Sequence, residues 1–247
     1  MTQSTRGSEF VLVSLFLSLV GLGLLPFLFL NSPPMIVIPW QNHLIGIAFT
    51  TICILGIIAG ISPSHCRLSS QKKQTQGEYR EPPTQTKDKF PPIEKRGHHP
   101  TCTPYASHVF SFRKKVYCAG CTGLVTGAII ALIGTTSFFF FGVKLIFPEI
   151  IFWLGFVFVG IGLLQHPFYR LFKLRHGRVR VIINALFVIG SFLILTSAVQ
   201  FTNNILFSIY LLLLICYWIF TRIVMSRWAH QRICAQCKIP GCPLLES

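Results

Sequence analysis

FVLVSLFLSLVGLGLLPFLFL, residues 10–30, is an unbroken run of 21 residues without a charge. At about 1.5 Å per residue it is long enough to cross the roughly 30 Å hydrocarbon core of a bilayer as one helix. The whole 247-residue chain shares this character, with 52% apolar and 12% charged residues and a mean hydropathy of +0.61. That balance is foreign to a water-soluble domain. A cleaved signal peptide is the competing reading of the run, but the leading charges Arg6 and Glu9 cancel and no small-residue cleavage site follows cleanly, so the run is expected to stay.

Five more apolar runs follow at 44–61, 124–141, 146–164, 181–200 and 205–224. The expected fold is therefore an all-α integral membrane protein, a six-helix transmembrane bundle, in contact with the lipid bilayer. Gly56 and Gly60 form a G-x-x-x-G spacing that permits close helix approach in the second run. The net charge of +15, from 22 basic and 7 acidic residues, could suggest a nucleic-acid partner until its distribution is considered. The charges lie between the apolar runs: 62–117 holds eleven Lys or Arg and four acids, 166–180 five basic and no acidic residues, and the tail from 225 is basic again. The alternate connections, 31–43, 142–145 and 201–204, are short and nearly uncharged. Basic loops stay inside, so the expectation is a multi-pass cell-membrane protein with both termini cytoplasmic and no nucleic acid bound. The basic and aromatic stretch 166–180 reads as a short interfacial helix over anionic lipid headgroups. Residues 63–97, rich in Gln, Lys, Thr and Pro without periodicity, read as a disordered linker.

Topology bears on the nine cysteines. Seven of them, Cys66, Cys102, Cys118, Cys121, Cys234, Cys237 and Cys242, fall on the expected reducing face, where metal ligation is the better use of a thiol than a structural disulfide. Cys53 and Cys216 lie inside apolar runs and read as small apolar side chains. The stretch HHPTCTPYASHVFSFRKKVYCAGCTG, residues 98–123, concentrates metal-ligating types in the order Cys102-x5-His108-x9-Cys118-x2-Cys121. Alternation over 107–112 and 116–117 around Arg113 and Lys114 predicts a β-hairpin that brings His108 beside Cys118. Cys102, His108, Cys118 and Cys121 then form a Cys3His set suited to zinc, with His98 or His99 as substitutes or hydrogen-bond partners of the ligands. This zinc-knuckle-like insertion sits between the second and third helices. Cys118 and Cys121 also open the third helix, whose N-terminal N–H groups favour a thiolate, so redox chemistry at the pair is open as well.

The tail HQRICAQCKIPGCP, residues 230–243, repeats the theme with His230, Cys234, Cys237 and Cys242. These three cysteines, with His230 or Cys66, make a second tetrahedral set; an iron–sulfur cluster is the alternative, because Cys242 is followed by Pro243. The two clusters could also share one site. His43, His166 and His176 stand singly at span ends and read as interfacial residues. No Asp or Glu lies within a span except Glu149 near the outer end of the fourth, which disfavours an ion-coupled transporter. Asn184 reads as a helix–helix hydrogen-bonding residue. No phosphate loop or nucleophile motif is present, and a metal enzyme would lack an obvious base, Glu94 being the nearest carboxylate in sequence.

The combination of HHPTC at 98–102, Ser107-His108 and CAGCTG at 118–123, leading straight into an apolar helix, resembles an uncharacterised prokaryotic family of predicted multi-pass membrane proteins, especially its archaeal members. The likeness covers about residues 98–130. Bacterial members of that family carry arginine where this chain has Gly120, and a Cys-His-Gln segment upstream that differs here. The resemblance implies a membrane fold and a metal-like motif, with no reaction attached. Three functions are carried forward: a structural, scaffolding or sensing protein with zinc at its cytoplasmic face and a protein partner there, a thiol or iron–sulfur redox protein, and a metal-dependent enzyme.

Overall fold

A computed structural model of the chain describes residues 2–33, 40–61, 95–96, 99–100, 108–112, 115–165 and 177–237. Six helices carry it: α1 (Thr2–Asn31), α2 (Gln41–Ile61), α3 (Ala119–Thr135), α4 (Pro148–Leu163), α5 (Gly177–Thr202) and α6 (Ile205–Cys237). A five-residue π-helical turn, Thr136–Phe140, continues α3. Strands β1 (Lys95–Arg96) and β2 (His99–Pro100) pair antiparallel, as do β3 (Val109–Phe112) and β4 (Lys115–Cys118).

Five stretches are long and apolar enough to cross a membrane: Ser8–Asn31, Gln41–Ile61, Ala119–Phe140, Gly177–Thr202 and Ile205–Arg232. The expected sixth, α4, is apolar but only 16 residues long. That is about 24 Å, short of a full crossing. Its start is set by Pro148, which suits the first helical position and disfavours helical backbone in the residue before it. Exposure runs opposite to that of a water-soluble bundle. Phe16, Phe27, Ile133, Leu213 and Ile223 face outward, while Ser14, Ser18, Thr196, Ser197 and Thr221 are buried. An apolar exterior and a core containing hydroxyls are what lipid contact requires of a multi-pass protein.

The helices run up and down. α5 packs along α3 and α4, α2 along α3, and α1 along α6, around a core that includes Phe49, Phe152, Phe187, Leu211 and Trp218. One end of the bundle carries the short connections. There Phe29 stacks on Phe152 and Phe201 at 4.0 and 4.5 Å. Gln200 clamps the loop before α4, accepting from the Leu145 N–H and donating to its carbonyl, both at 2.8 Å. Asn204 caps α6 by accepting from the Leu206 and Phe207 N–H groups at 3.0 and 3.2 Å, and its Nδ2 donates to the Pro33 carbonyl.

Several expectations shift in detail. α6 runs through the tail to Cys237 instead of ending near 224, and α5 begins at Gly177, four residues before the expected Val181. Of the expected G-x-x-x-G pair, only Gly60 is tightly packed, against Val125, whereas a Cβ on Gly56 would meet nothing within 4 Å. The close approach is made by Gly123 and Gly127 of α3. A Cβ on Gly123 would collide with the Val181 carbonyl of α5, and one on Gly127 would lie 2.7 Å from the Ala185 carbonyl. Cys53 is buried as expected, but Cys216 faces outward. The linker reading of 63–97 lies outside the described residues except for Lys95 and Arg96, which are paired strand.

Candidate functional site

Toward the end opposite the short connections, the C-terminal half of α2, the end of α4, the N-terminal halves of α3 and α5, and α6 line a cavity of about 630 Å³. The glycines of α3 let it press against α5, and Cys118 and Cys121 of the one line the same cavity as Arg180 and Asn184 of the other.

The predicted hairpin is present. β3 and β4 pair in the register Val109 to Cys118, Phe110 to Tyr117, Ser111 to Val116 and Phe112 to Lys115, and Phe110 stacks on Tyr117 at 5.9 Å. His108 lies one residue beyond the Val109–Cys118 pair, as the predicted pairing requires. It is buried, 8% exposed, and lines the cavity together with Cys118 and Cys121. The hairpin rests on α5, where a Cβ on Gly177 would collide with the Val109 carbonyl. Cys118 is the N-cap residue of α3 in extended conformation, and Cys121 sits in the first helical turn, so both thiols stand at the positive end of the helix dipole.

His108 also meets two groups distant in sequence. Arg180 Nη1 lies 3.0 Å from His108 Nδ1. A guanidinium only donates, so Nδ1 is the acceptor, and a neutral ring then carries its proton on Nε2. Ligation of a metal by His108 therefore requires Arg180 to release Nδ1. The His230 ring lies 5.5 Å from that of His108, so one histidine from each Cys/His stretch of the sequence meets the other here. Cys234 and Cys237 follow at i+4 and i+7 from His230 on α6, positions that share a helix face. Of the other expected ligands, His99 is in β2, while His98, Cys102 and Cys242 lie outside the described residues, as does Cys66. Among the described residues, no three His, Cys, Asp or Glu side chains are grouped to hold a metal ion.

Arg222 of α6 also stands at this end. Arg222 donates to the Gly162 carbonyl of α4, to Gln165 Oε1 at 2.5 Å and to Asn184 Oδ1 of α5, and its guanidinium lies 4.7 Å over the Phe187 ring. Asn184 in turn donates to the Arg180 carbonyl at 2.6 Å. The helix–helix role expected of Asn184 is thus found, with a cation as its partner. Arg222 was legible as a charge inside the predicted 205–224 span, which is the signal that marks functional residues in membrane segments. Arg180, grouped by its neighbours with an interfacial basic stretch, instead lines the cavity. Comparison of the chain with family models, with curated proteins and with solved structures finds no match.

Proposed function

We propose that this is a non-catalytic multi-pass membrane protein whose hairpin end is fastened by a zinc ion, serving as a scaffold or sensing surface for a protein partner. The observation that carries the reading is the His108–His230 contact at 5.5 Å, because it sets side by side one histidine from each of two Cys/His stretches separated by more than a hundred residues. Cys118 and Cys121 supply a C-x-x-C pair at the mouth of α3, Cys102 adjoins them in the motif, and His108 or His230 completes four ligands, the choice turning on whether Arg180 holds His108. His98, His99, Cys234, Cys237 and Cys242 are the remaining candidates, for the same ion or a second one. The resemblance to the HHPTC and CAGCTG family agrees with this reading, as does the basic-loop distribution that puts the hairpin end and both termini in the cytoplasm.

Elemental analysis of the anaerobically purified chain should find about one or two equivalents of zinc, falling by about one in Cys118→Ser. A metal-free protein that is normally folded and binds no added zinc overturns the reading. The position of Cys118 at the N-cap of α3 favours a second reading, a dithiol or iron–sulfur redox protein, since a helix N-terminus stabilises thiolate. The same preparation decides it: visible absorption or a reversible Cys118–Cys121 disulfide supports redox chemistry, and the absence of both removes it.

A further inference from the structure

Among the candidate ligands, His108 is held by a residue of another element: Arg180 of α5 donates to its Nδ1 at 3.0 Å. A guanidinium carries donors only, so this bond fixes the neutral imidazole as the tautomer with its proton on Nε2. Neither ring nitrogen can then take a cation without a rearrangement. Ligation through Nδ1 needs the guanidinium to leave the lone pair. Ligation through Nε2 moves the proton to Nδ1, which then only donates and faces a second donor. Arg180 and a metal ion therefore exclude one another at His108 by either route. In metal sites the outer nitrogen of a ligating histidine faces a carboxylate, a carbonyl or a water, each of which accepts its proton and supports ligation. A guanidinium in that place does the reverse, and its charge also opposes that of the ion.

The exclusion reaches beyond one side chain. Val109, next to His108, packs its carbonyl on Gly177 of α5, and Arg180 follows Gly177 by one helical turn. The Arg180–His108 bond is thus a second tie between the hairpin and α5. Its α5 end is fixed in turn, because the Arg180 carbonyl accepts from Asn184, which also accepts from Arg222 of α6. We propose that Arg180 is a built-in competitor for the metal, so that zinc on His108 and the Arg180 tie between hairpin and α5 are alternative states of one switch. The inference rests on the zinc reading above and deepens it: the site senses zinc instead of holding it permanently. By linkage, the factor by which Arg180 weakens zinc binding is the factor by which zinc weakens the hold of Arg180 on His108.

The test is the zinc affinity of the full chain in nanodiscs under reducing conditions, read by competition with a chelator of known affinity. Arg180→Gln should bind zinc about tenfold or more tightly than the wild type, the scale of one charge-assisted hydrogen bond. Arg178→Gln removes the same charge from an exposed position of the same helix and should stay within about twofold of the wild type. His108→Gln completes a cycle: other effects of Arg180 at the cavity persist in that background, so the gain from Arg180→Gln should vanish there. If the wild type and Arg180→Gln both fold and bind no zinc, the zinc reading and the switch fall together. If the wild type binds zinc but Arg180→Gln binds it no more tightly, or its gain is matched by Arg178→Gln or survives in His108→Gln, the zinc reading stands and the switch is overturned. A measurement on the unaltered chain serves where a variant does not fold. The nitrogen NMR signal of His108 Nδ1, that of an unprotonated acceptor without zinc, should move at zinc saturation to that of a protonated or metal-bound nitrogen. An unmoved signal on the zinc-loaded chain overturns the proposal.

Discussion

The two ends of the bundle are closed by different means. At the short-connection end, Phe29 stacks between Phe152 and Phe201, and Gln200 and Asn204 tie loops to helices through backbone groups. At the hairpin end, three arginines, two histidines and three cysteines line a cavity of about 630 Å³. Every polar side chain desolvated there needs partners, and polar groups in a membrane interior are retained mainly where they act. The difference separates an end closed by packing from one built around a cavity, and substitutions at the two ends should differ in kind as well as in size.

The largest effect is expected at Gly123, whose Cβ would strike the Val181 carbonyl and push α3 from α5. Gly123→Leu should destabilise by about 3 kcal/mol, at the upper end of overpacking penalties, and should displace Cys118 and Cys121 from the cavity. Denaturant titration of the purified protein, followed by tryptophan fluorescence, measures the first effect and the rate of thiol labelling the second. Gly56→Leu serves as the control, since its Cβ meets nothing within 4 Å. Equal stability of the two variants would mean that the hairpin end does not depend on this helix contact.

Next in size is Asn184→Leu. It removes an acceptor of Arg222 and the donor to the Arg180 carbonyl, leaving both without that partner in a desolvated place. The loss should be about 2 kcal/mol. It should also change thiol labelling or metal content at Cys118 and Cys121, because Arg180 is in turn bonded to His108.

Much of this architecture was readable from the chain, and what was missed shares a physical cause. Hydropathy located all six helices, since each apolar run is self-contained; the hairpin was readable because its two strands are separated by only two residues. Partnerships between distant residues were not readable. Gly123 and Gly127 were visible as small residues, but nothing local announces that Val181 and Ala185 lie against them. Arg222 vanished into the average of its apolar neighbours, and its acceptors lie 38 to 60 positions away. The contact of His108 with His230 likewise depends on α6 continuing past its apolar part, where basic composition suggested only a tail.

The two ends can be told apart further at Gln200, a residue of the closed end. Its side chain satisfies both the N–H and the carbonyl of Leu145, so truncation removes two hydrogen bonds in a loop near the membrane surface. Water can replace them there, and Gln200→Ala should cost about 1 kcal/mol with no change in metal content or thiol labelling. A change in any of these would show that the closed end is coupled to the cavity.

The smallest expected effect lies between the ends, where α1 meets α6. Ser18 Oγ and Thr221 Oγ1 are 2.8 Å apart and fully buried, and the Trp218 indole donates to the Ser18 carbonyl at 3.2 Å. Hydroxyl pairs between membrane helices contribute about 0.6 kcal/mol, because unpaired hydroxyls find backbone carbonyls within their own helix. Ser18→Ala should therefore lower stability by about that amount, and Thr221 keeps a second acceptor across the helix pair in the Ser14 carbonyl of α1 at 3.4 Å. A double-mutant cycle with Thr221→Ala isolates the pair. Coupling well above 1 kcal/mol would mean that the hydroxyl bond, rather than packing of Trp218 beneath it, holds α1 to α6. It would also extend the polar construction of the hairpin end, since Arg222 is the next residue after Thr221, into the helix pair beside it.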